Sequence, residues 1–289
     1  MNCDVTNEQI ERYRKDGFVV IENFLTSEEL AEWRSAVEEA IEERDGVKIP
    51  GTNVKTGGDD GINKDSDYYG AVFDQLINLW QTNSRVRKLM MNPELGKAAS
   101  LLSGARGIRI WHDQALFKRP WANPTTLHLD VPYWSFSAPD AISLWVALDD
   151  ATLNNGCLYF LPGTHKKTGY RDIGITKNMK AIFTVYPELA SVEAVAVPMR
   201  AGSASFHSGL CIHGAGPNMT PRSRRAMTCA YMPEGATFNG QKNVLPDEYL
   251  NTLSVGDPLN NDQQNPLLWP VGEAGASMEP RGSRNALTR

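Results

Sequence analysis

A mainly β fold, a sandwich or jelly roll with its helices gathered ahead of its strands, is what this sequence predicts. Three observations carry the prediction. From Ile108 to Met232 short alternations of apolar and polar residues recur, each broken by Gly, Pro or Asn, as in half-buried strands joined by turns. Helical periodicity is concentrated ahead of that stretch, a segregation that suits helices laid against an antiparallel sheet. The length, 289 residues, is one that such folds reach as a single domain. Residues 1–289 are therefore expected to form one unit: a helical part over 1–104, a jelly-roll core over about 105–235 and an irregular tail over about 240–289.

The elements follow in order. Thr6 with Gln9 has capping-box spacing and opens a short helix that Gly17 ends. Phe18 to Ile21 is a strand, and a second box, Thr26 with Glu29, opens a longer helix with the stripe Leu30, Trp33, Val37 and Ile41. Val47 to Gly70 is glycine-rich and aperiodic, either a solvated loop or a lid over a substrate. Asn92-Pro93 starts another helix and Gly104 stops it. Ile108 to Lys118 alternates, with Ile108, Ile110, His112, Gln114, Leu116 and Lys118 on one side and Trp111, Ala115 and Phe117 on the other. The polar members suggest a pocket wall; His112 is either pocket-lining or a structural histidine with its hydrogen bonds satisfied. Further strands are expected at Ala141 to Asp149, Cys157 to Leu161, Glu193 to Met199, Ser203 to Phe206, Leu210 to His213 and Ala226 to Met232. Tyr170 to Leu189 is a second irregular stretch and lid candidate, and from Gly240 onward a loosely packed tail is the simplest account.

Charge and cysteine content narrow the function. A formal net charge of −5 offers no basic field for nucleic acid or an anionic membrane. Four cysteines without CxxC spacing indicate neither a disulfide framework nor a zinc cluster. The amino-terminal residues lack a leader pattern and no window approaches a membrane span, so a cytoplasmic protein acting on a small molecule is expected, with oligomeric state left open.

The stretch Thr125-Thr126-Leu127-His128-Leu129-Asp130 carries the chemistry. In an extended strand residues two apart share a face, so His128 and Asp130 would present an imidazole and a carboxylate together. A third ligand would complete a 2-His-1-carboxylate triad, which suits non-heme iron and leaves coordination positions open. His213 is the candidate, with His207 as a competitor six residues earlier. After His213 the turn-rich run Gly214 to Asn218 brings the chain back, and an arginine returns beside the His213 end. Alternation turns Arg225 to the face opposite Arg224.

His128-Leu129-Asp130, Trp145, Asn154-Asn155-Gly156-Cys157-Leu158, Leu161-Pro162-Gly163-Thr164-His165-Lys166, and His213-Gly214 through Arg224 resemble the phytanoyl-CoA dioxygenase family. That family is a branch of the Fe(II)/2-oxoglutarate oxygenases. The resemblance spans roughly Asp16 to Pro233 and implies a double-stranded β-helix, the cupin-like jelly roll. It also implies Fe(II) held by His128, Asp130 and His213, and 2-oxoglutarate whose far carboxylate pairs with Arg224. The reaction it implies consumes O2, hydroxylates an unactivated C–H bond of a small metabolite and releases succinate and CO2. Gln114 and Trp145 match family positions near the co-substrate, although an exposed glutamine and a core tryptophan are the plain readings. Thr125 sits where a hydroxyl could reach a carboxylate, or it simply favours a strand. The His165 loop serves structure in the family. One departure stands out: Ala215 occupies a position that often carries a hydroxyl, which puts the anchoring of 2-oxoglutarate in doubt. The carboxylate of Asp130 disfavours halogenation, because halogenating relatives have a small residue there. Desaturation, epoxidation and ring closure share the same ligands. Two other classes stay open, a catalytically silent jelly-roll binding protein and a zinc or manganese enzyme on the same fold.

Overall fold

A computed structural model describes residues 1–44, 68, 71–171 and 174–270. Helix α1 (Asn7–Asp16) opens with both bonds of the Thr6–Gln9 box and closes on Gly17 at φ 85°. Strand β1 (Phe18–Ile21) follows, then α2 (Ser27–Arg44), whose start carries the reciprocal Thr26–Glu29 bonds. Next come β2 (Asp74–Ile77) and two helices, Ser84–Met90 and Pro93–Ser103, capped by the side chains of Asn83 and Asn92. The remaining strands are β3 (Ile108–Lys118), β4 (Thr125–His128), β5 (Ile142–Ala147), β6 (Leu158–Phe160), β7 (Val195–Val197), β8 (Ala204–Ser208), β9 (His213–Ala215), β10 (Arg224–Pro233) and β11 (Leu267–Trp269).

They form two antiparallel sheets. The larger runs β1-β8-β5-β10-β3-β11, with β2 also paired to β3, and the smaller runs β4-β9-β6-β7. From β3 to β10 the chain passes repeatedly from one sheet to the other, which makes this the expected jelly roll. The outer face of the large sheet packs on the helices: Ile21, Leu144, Phe206 and Met227 share a buried cluster with Trp33, Val37, Leu95 and Leu102. Its inner face meets the small sheet, where Phe18, Trp145 and Ala226 pack with Leu158, Phe160 and Ala215. Among the described residues no helix is long and apolar enough to cross a membrane.

The Leu-Pro-Gly-Thr-His-Lys run docks on the end of α1. Gly163 N donates to Asp16 O at 2.7 Å and Lys166 Nζ to Lys15 O at 3.0 Å. A Cβ on Gly17 would lie 2.4 Å from His165 Nδ1 and 3.1 Å from Cys211 Sγ, and the positive φ already disfavours any side chain. Gly17→Ala should therefore cost about 2 kcal/mol or more, in the usual range for a strained left-handed residue. Thermal unfolding checks this; an unchanged melting temperature would show that α1 docks otherwise.

Two expectations need correction. A β-bulge interrupts the alternation of β3: Ala230 pairs with His112 but Tyr231 with Ile110, which leaves Trp111 unpaired. The extra residue reverses the faces, so Ile108 and Ile110 join the helix-side core with Ala115, while Trp111 packs on Phe136 and Trp134. The tail is not loose over Gly240 to Pro270. Val244, Leu245 and Leu259 are buried, β11 pairs with β3, and Arg109 binds Asp262 and, at 2.8 Å, Asn265 O. These are single anchoring contacts, which leave no periodic trace in sequence. In the second lid candidate, Tyr170 to Leu189, the residues Ile182, Tyr186 and Leu189 are buried in a cluster with Leu129, Leu161 and Ile212. The lid candidate Val47 to Gly70 lies outside the described residues apart from Tyr68, as does everything after Pro270.

Candidate active site

Strands β4 and β9 lie side by side with His128 opposite His213. The approach is close: a Cβ on Gly214 would fall 2.6 Å from Thr125 O, so only glycine fits directly after the second histidine. Each imidazole is fixed by a carbonyl two residues back. His128 Nδ1 lies 2.8 Å from Thr126 O and His213 Nδ1 3.0 Å from Cys211 O. A carbonyl can only accept, so both rings carry their proton on Nδ1, which leaves Nε2 unprotonated on the side of Asp130.

Asp130 arrives differently from the strand geometry expected. β4 ends at His128, and Asp130 N and Val131 N both donate to Gly209 O at 3.0 and 3.1 Å, which bends the chain into a short 3₁₀ turn. The bend still delivers the carboxylate: Asp130 Oδ1 lies 3.7 Å from His128 Nε2 and 3.6 Å from His213 Nε2. One ligand atom from each of the three residues falls within 4.8 Å of the others. Burial pushes His213 down to about 4, keeping it in the neutral form a metal requires. Burial works to raise the Asp130 carboxyl, but His213 and the His207 hydrogen bond hold it well below the usual carboxylate range.

The register of the large sheet orders its inner face in rows. One row holds His112, Ala230, Ser143 and His207; the next holds Gln114, Thr228, Trp145 and Ser205; Arg224 and Lys118 face each other two rows further along. Arg224 is 3% exposed, its guanidinium carbon sits 5.1 Å from the centre of the Trp145 ring, and its Nε and Nη1 have no partner. Burial lowers its pKa to about 10. Orphaned, buried guanidinium donors are costly unless something accepts from them, and a carboxylate matches their fork. Beside it Lys118 is fully buried, with Nζ donating to Asn123 O at 2.6 Å and Val72 O at 3.3 Å. Burial first, then the Arg224 charge, push that amine down to about 7. The interior thus offers three convergent metal-ligand atoms and, along the same barrel, a buried cation lacking an anion.

The sequence pattern of the phytanoyl-CoA dioxygenase family matches residues 13–226. The chain belongs to the phytanoyl-CoA dioxygenase family. It is 30% identical to the peroxisomal phytanoyl-CoA dioxygenase of Mus musculus over 244 residues, which is 80% of this chain and 69% of that protein. Among solved structures it resembles the non-heme alpha ketoglutarate dependent carbocyclase SnoK from nogalamycin biosynthesis, with a TM-score of 0.71, 28% identity, and coverage of 91% of this chain and 96% of that one. The epimerase SnoN, solved with Fe3+, alpha ketoglutarate and nogalamycin RO, gives a TM-score of 0.66 at 26% identity, covering 90% of this chain and 97% of that chain.

For a member of the phytanoyl-CoA dioxygenase family the remaining residues fall as follows. Trp145 is buried beneath Arg224. Thr125 is buried directly opposite Ala215, so a hydroxyl-bearing side chain faces the position where the family's hydroxyl is missing. Gln114 is half-buried in the row between His112 and Arg224, and its Oε1 accepts from Gln75 Nε2. Arg225 turns away, as alternation predicts, and pairs with Asp149 and Glu38. His112 is 3% exposed and stands in the same row as Ser143 and His207, its ring near that of Trp134. His207 brings its Nε2 to 3.2 Å from Asp130 Oδ2, and Ser143 Oγ donates to the same oxygen at 2.7 Å. Sequence reasoning missed Ser143. The alternation of β5 placed it on the side of Trp145, but only the fold brings Asp130 to it.

Proposed function

We propose that this chain is an Fe(II)- and 2-oxoglutarate-dependent oxygenase that hydroxylates an unactivated C–H bond of a small polar or apolar metabolite in the cytoplasm. The observation that carries the reading is the pairing, in one interior, of a two-histidine, one-carboxylate cluster with a buried guanidinium. One ligand atom each from His128, Asp130 and His213 converges within 4.8 Å, and the buried Arg224 Nε and Nη1 have no acceptor among the described residues. A zinc or manganese hydrolase accounts for the first and not the second; a silent binding protein has no use for the first. Four buried, unpaired thiols are consistent with a reducing compartment.

The protein's own residues divide the work. His128 and His213 would hold the metal through Nε2 and Asp130 through Oδ1, a two-histidine, one-carboxylate set of the kind that suits iron(II). Arg224 forks the far carboxylate of 2-oxoglutarate, with the face of Trp145 behind it, and Gln114 and Thr125 supply polar contacts along its length. Thr125 takes over on the side that Ala215 leaves bare. Phe18, Leu158 and Phe160 keep the surrounding interior apolar, which strengthens each of these interactions by excluding water. When bound, iron supplies the oxidising power with O2: 2-oxoglutarate ends as succinate and CO2, and the substrate gains a hydroxyl. Ring closure is the second reading of the outcome, favoured by the similarity to the carbocyclase over 91% of this chain.

The test is an anaerobic Fe(II) titration with and without 2-oxoglutarate, followed by a metabolite panel scored for succinate and for product mass. The expected result is a weak visible charge-transfer band that needs both components. Its absence, with Fe(II) unbound at micromolar concentration, would return the chain to the silent binding class.

A further inference from the structure

Asp130 Oδ2 has two side-chain partners among the described residues. Ser143 Oγ donates to it at 2.7 Å and His207 Nε2 approaches to 3.2 Å. The two donors come from neighbouring strands and stand opposite each other in the β5–β8 register. A carboxylate oxygen can only accept, so His207 must carry a proton on Nε2. Its Nδ1 has no partner, and the ring is held by Phe160 at 5.3 Å and His213 at 4.5 Å between centroids. His207 thereby ceases to be a rival ligand, because the nitrogen that reaches the site is spent on Asp130. The other oxygen, Oδ1, is the one that lies near both His128 Nε2 and His213 Nε2.

We infer that Ser143 and His207 are positioning residues that occupy Oδ2 and so hold Asp130 to single-oxygen ligation, keeping three metal positions free for 2-oxoglutarate and O2. The inference rests on the oxygenase reading above. A carboxylate freed of these donors can swing to bind through both oxygens, as carboxylates do at other metals, and would then consume a position that the co-substrate needs. Outer partners of this kind orient ligands and tune affinity. The effect sought is accordingly a split between metal binding and chelate formation, which loss of fold stability alone does not produce.

The experiment uses the full-length protein under anaerobic conditions. Fe(II) affinity and the visible band formed on adding 2-oxoglutarate are measured in the parent, Ser143→Ala, Ser143→Thr and His207→Phe. Fe(II) affinity is expected to fall by about 10- to 100-fold in Ser143→Ala and His207→Phe. At saturating Fe(II), the 2-oxoglutarate band should weaken or shift in both, and Ser143→Thr, which keeps the hydroxyl, should restore parent behaviour. A parent band with unchanged affinity and spectrum in Ser143→Ala and His207→Phe would overturn the inference while leaving the oxygenase reading intact. No band in the parent would overturn both. Should His207→Phe fail to fold, the comparison of Ser143→Ala with Ser143→Thr decides.

Discussion

Asp130→Ala is expected to reduce Fe(II)- and O2-dependent succinate formation to background, a loss well beyond the roughly 100-fold that follows when only an outer partner of a metal ligand is changed. His213→Ala should do the same, since either change removes one of the three convergent ligand atoms. Asp130→Asn makes the sharper case. It preserves shape and one oxygen, and at many surface sites it would be mild. Here Ser143 and His207 both donate toward Oδ2. The amide must therefore put its oxygen against those donors and its NH2 where Oδ1 stood, beside His128 and His213. An amide nitrogen has no lone pair to give a metal. Asp130→Asn should thus be as inactive as Asp130→Ala, with Fe(II) binding lost to a similar degree and the far-ultraviolet circular dichroism of a folded protein. Succinate yield and metal titration check it; appreciable turnover in Asp130→Asn would mean that Asp130 is not the carboxylate ligand.

The contrast between Asp130 and its supports shows what a sequence can carry. His128 and Asp130 are two residues apart, so any local backbone path keeps them near each other, and they met even though the expected strand gave way to a turn. The turn after His213 was legible from its Gly, Pro and Asn residues, but it does not fold Arg224 back beside that histidine: β9 belongs to the small sheet and β10, which begins at Arg224, to the large one. Ser143 and His207 depend on which strands become neighbours and in what register, and one sequence without partners does not contain that. The bulge at Trp111 was hidden for a related reason: it consists of one residue whose presence is felt only against β10. The packing of Gly240 to Pro270 was invisible because Arg109, Asn265 and Val244 act as separate anchors rather than as a repeating face.

Arg224→Met separates the binding of 2-oxoglutarate from every other property of the site. The guanidinium is buried, two of its nitrogens lack partners, and the neighbouring inward side chain across the sheet is the equally buried Lys118. Removing one partner of a buried charge pair costs about 2–5 kcal/mol, so the concentration of 2-oxoglutarate needed for half-saturation should rise by roughly 30-fold to a few thousand-fold. Fe(II) affinity without co-substrate should stay near the parent value, because Arg224 lies two rows from Gln114 and Trp145 and further still from Ser143 and His207. Stability adds a second, independent reading. In the absence of 2-oxoglutarate the parent keeps an unpaired charge in its interior, and replacing buried ionic groups with apolar ones of similar size is often neutral or stabilising. Arg224→Met without ligand should therefore melt at the same temperature as the parent or higher. The parent gains about 2.7 kcal/mol when ligand reaches 100 times its dissociation constant, and the variant should gain almost none at that same concentration. Thermal scans with iron, with and without 2-oxoglutarate, measure both. A variant that is much less stable without ligand, yet gains as much as the parent from 2-oxoglutarate, would assign Arg224 to the fold and leave the anion to be held elsewhere.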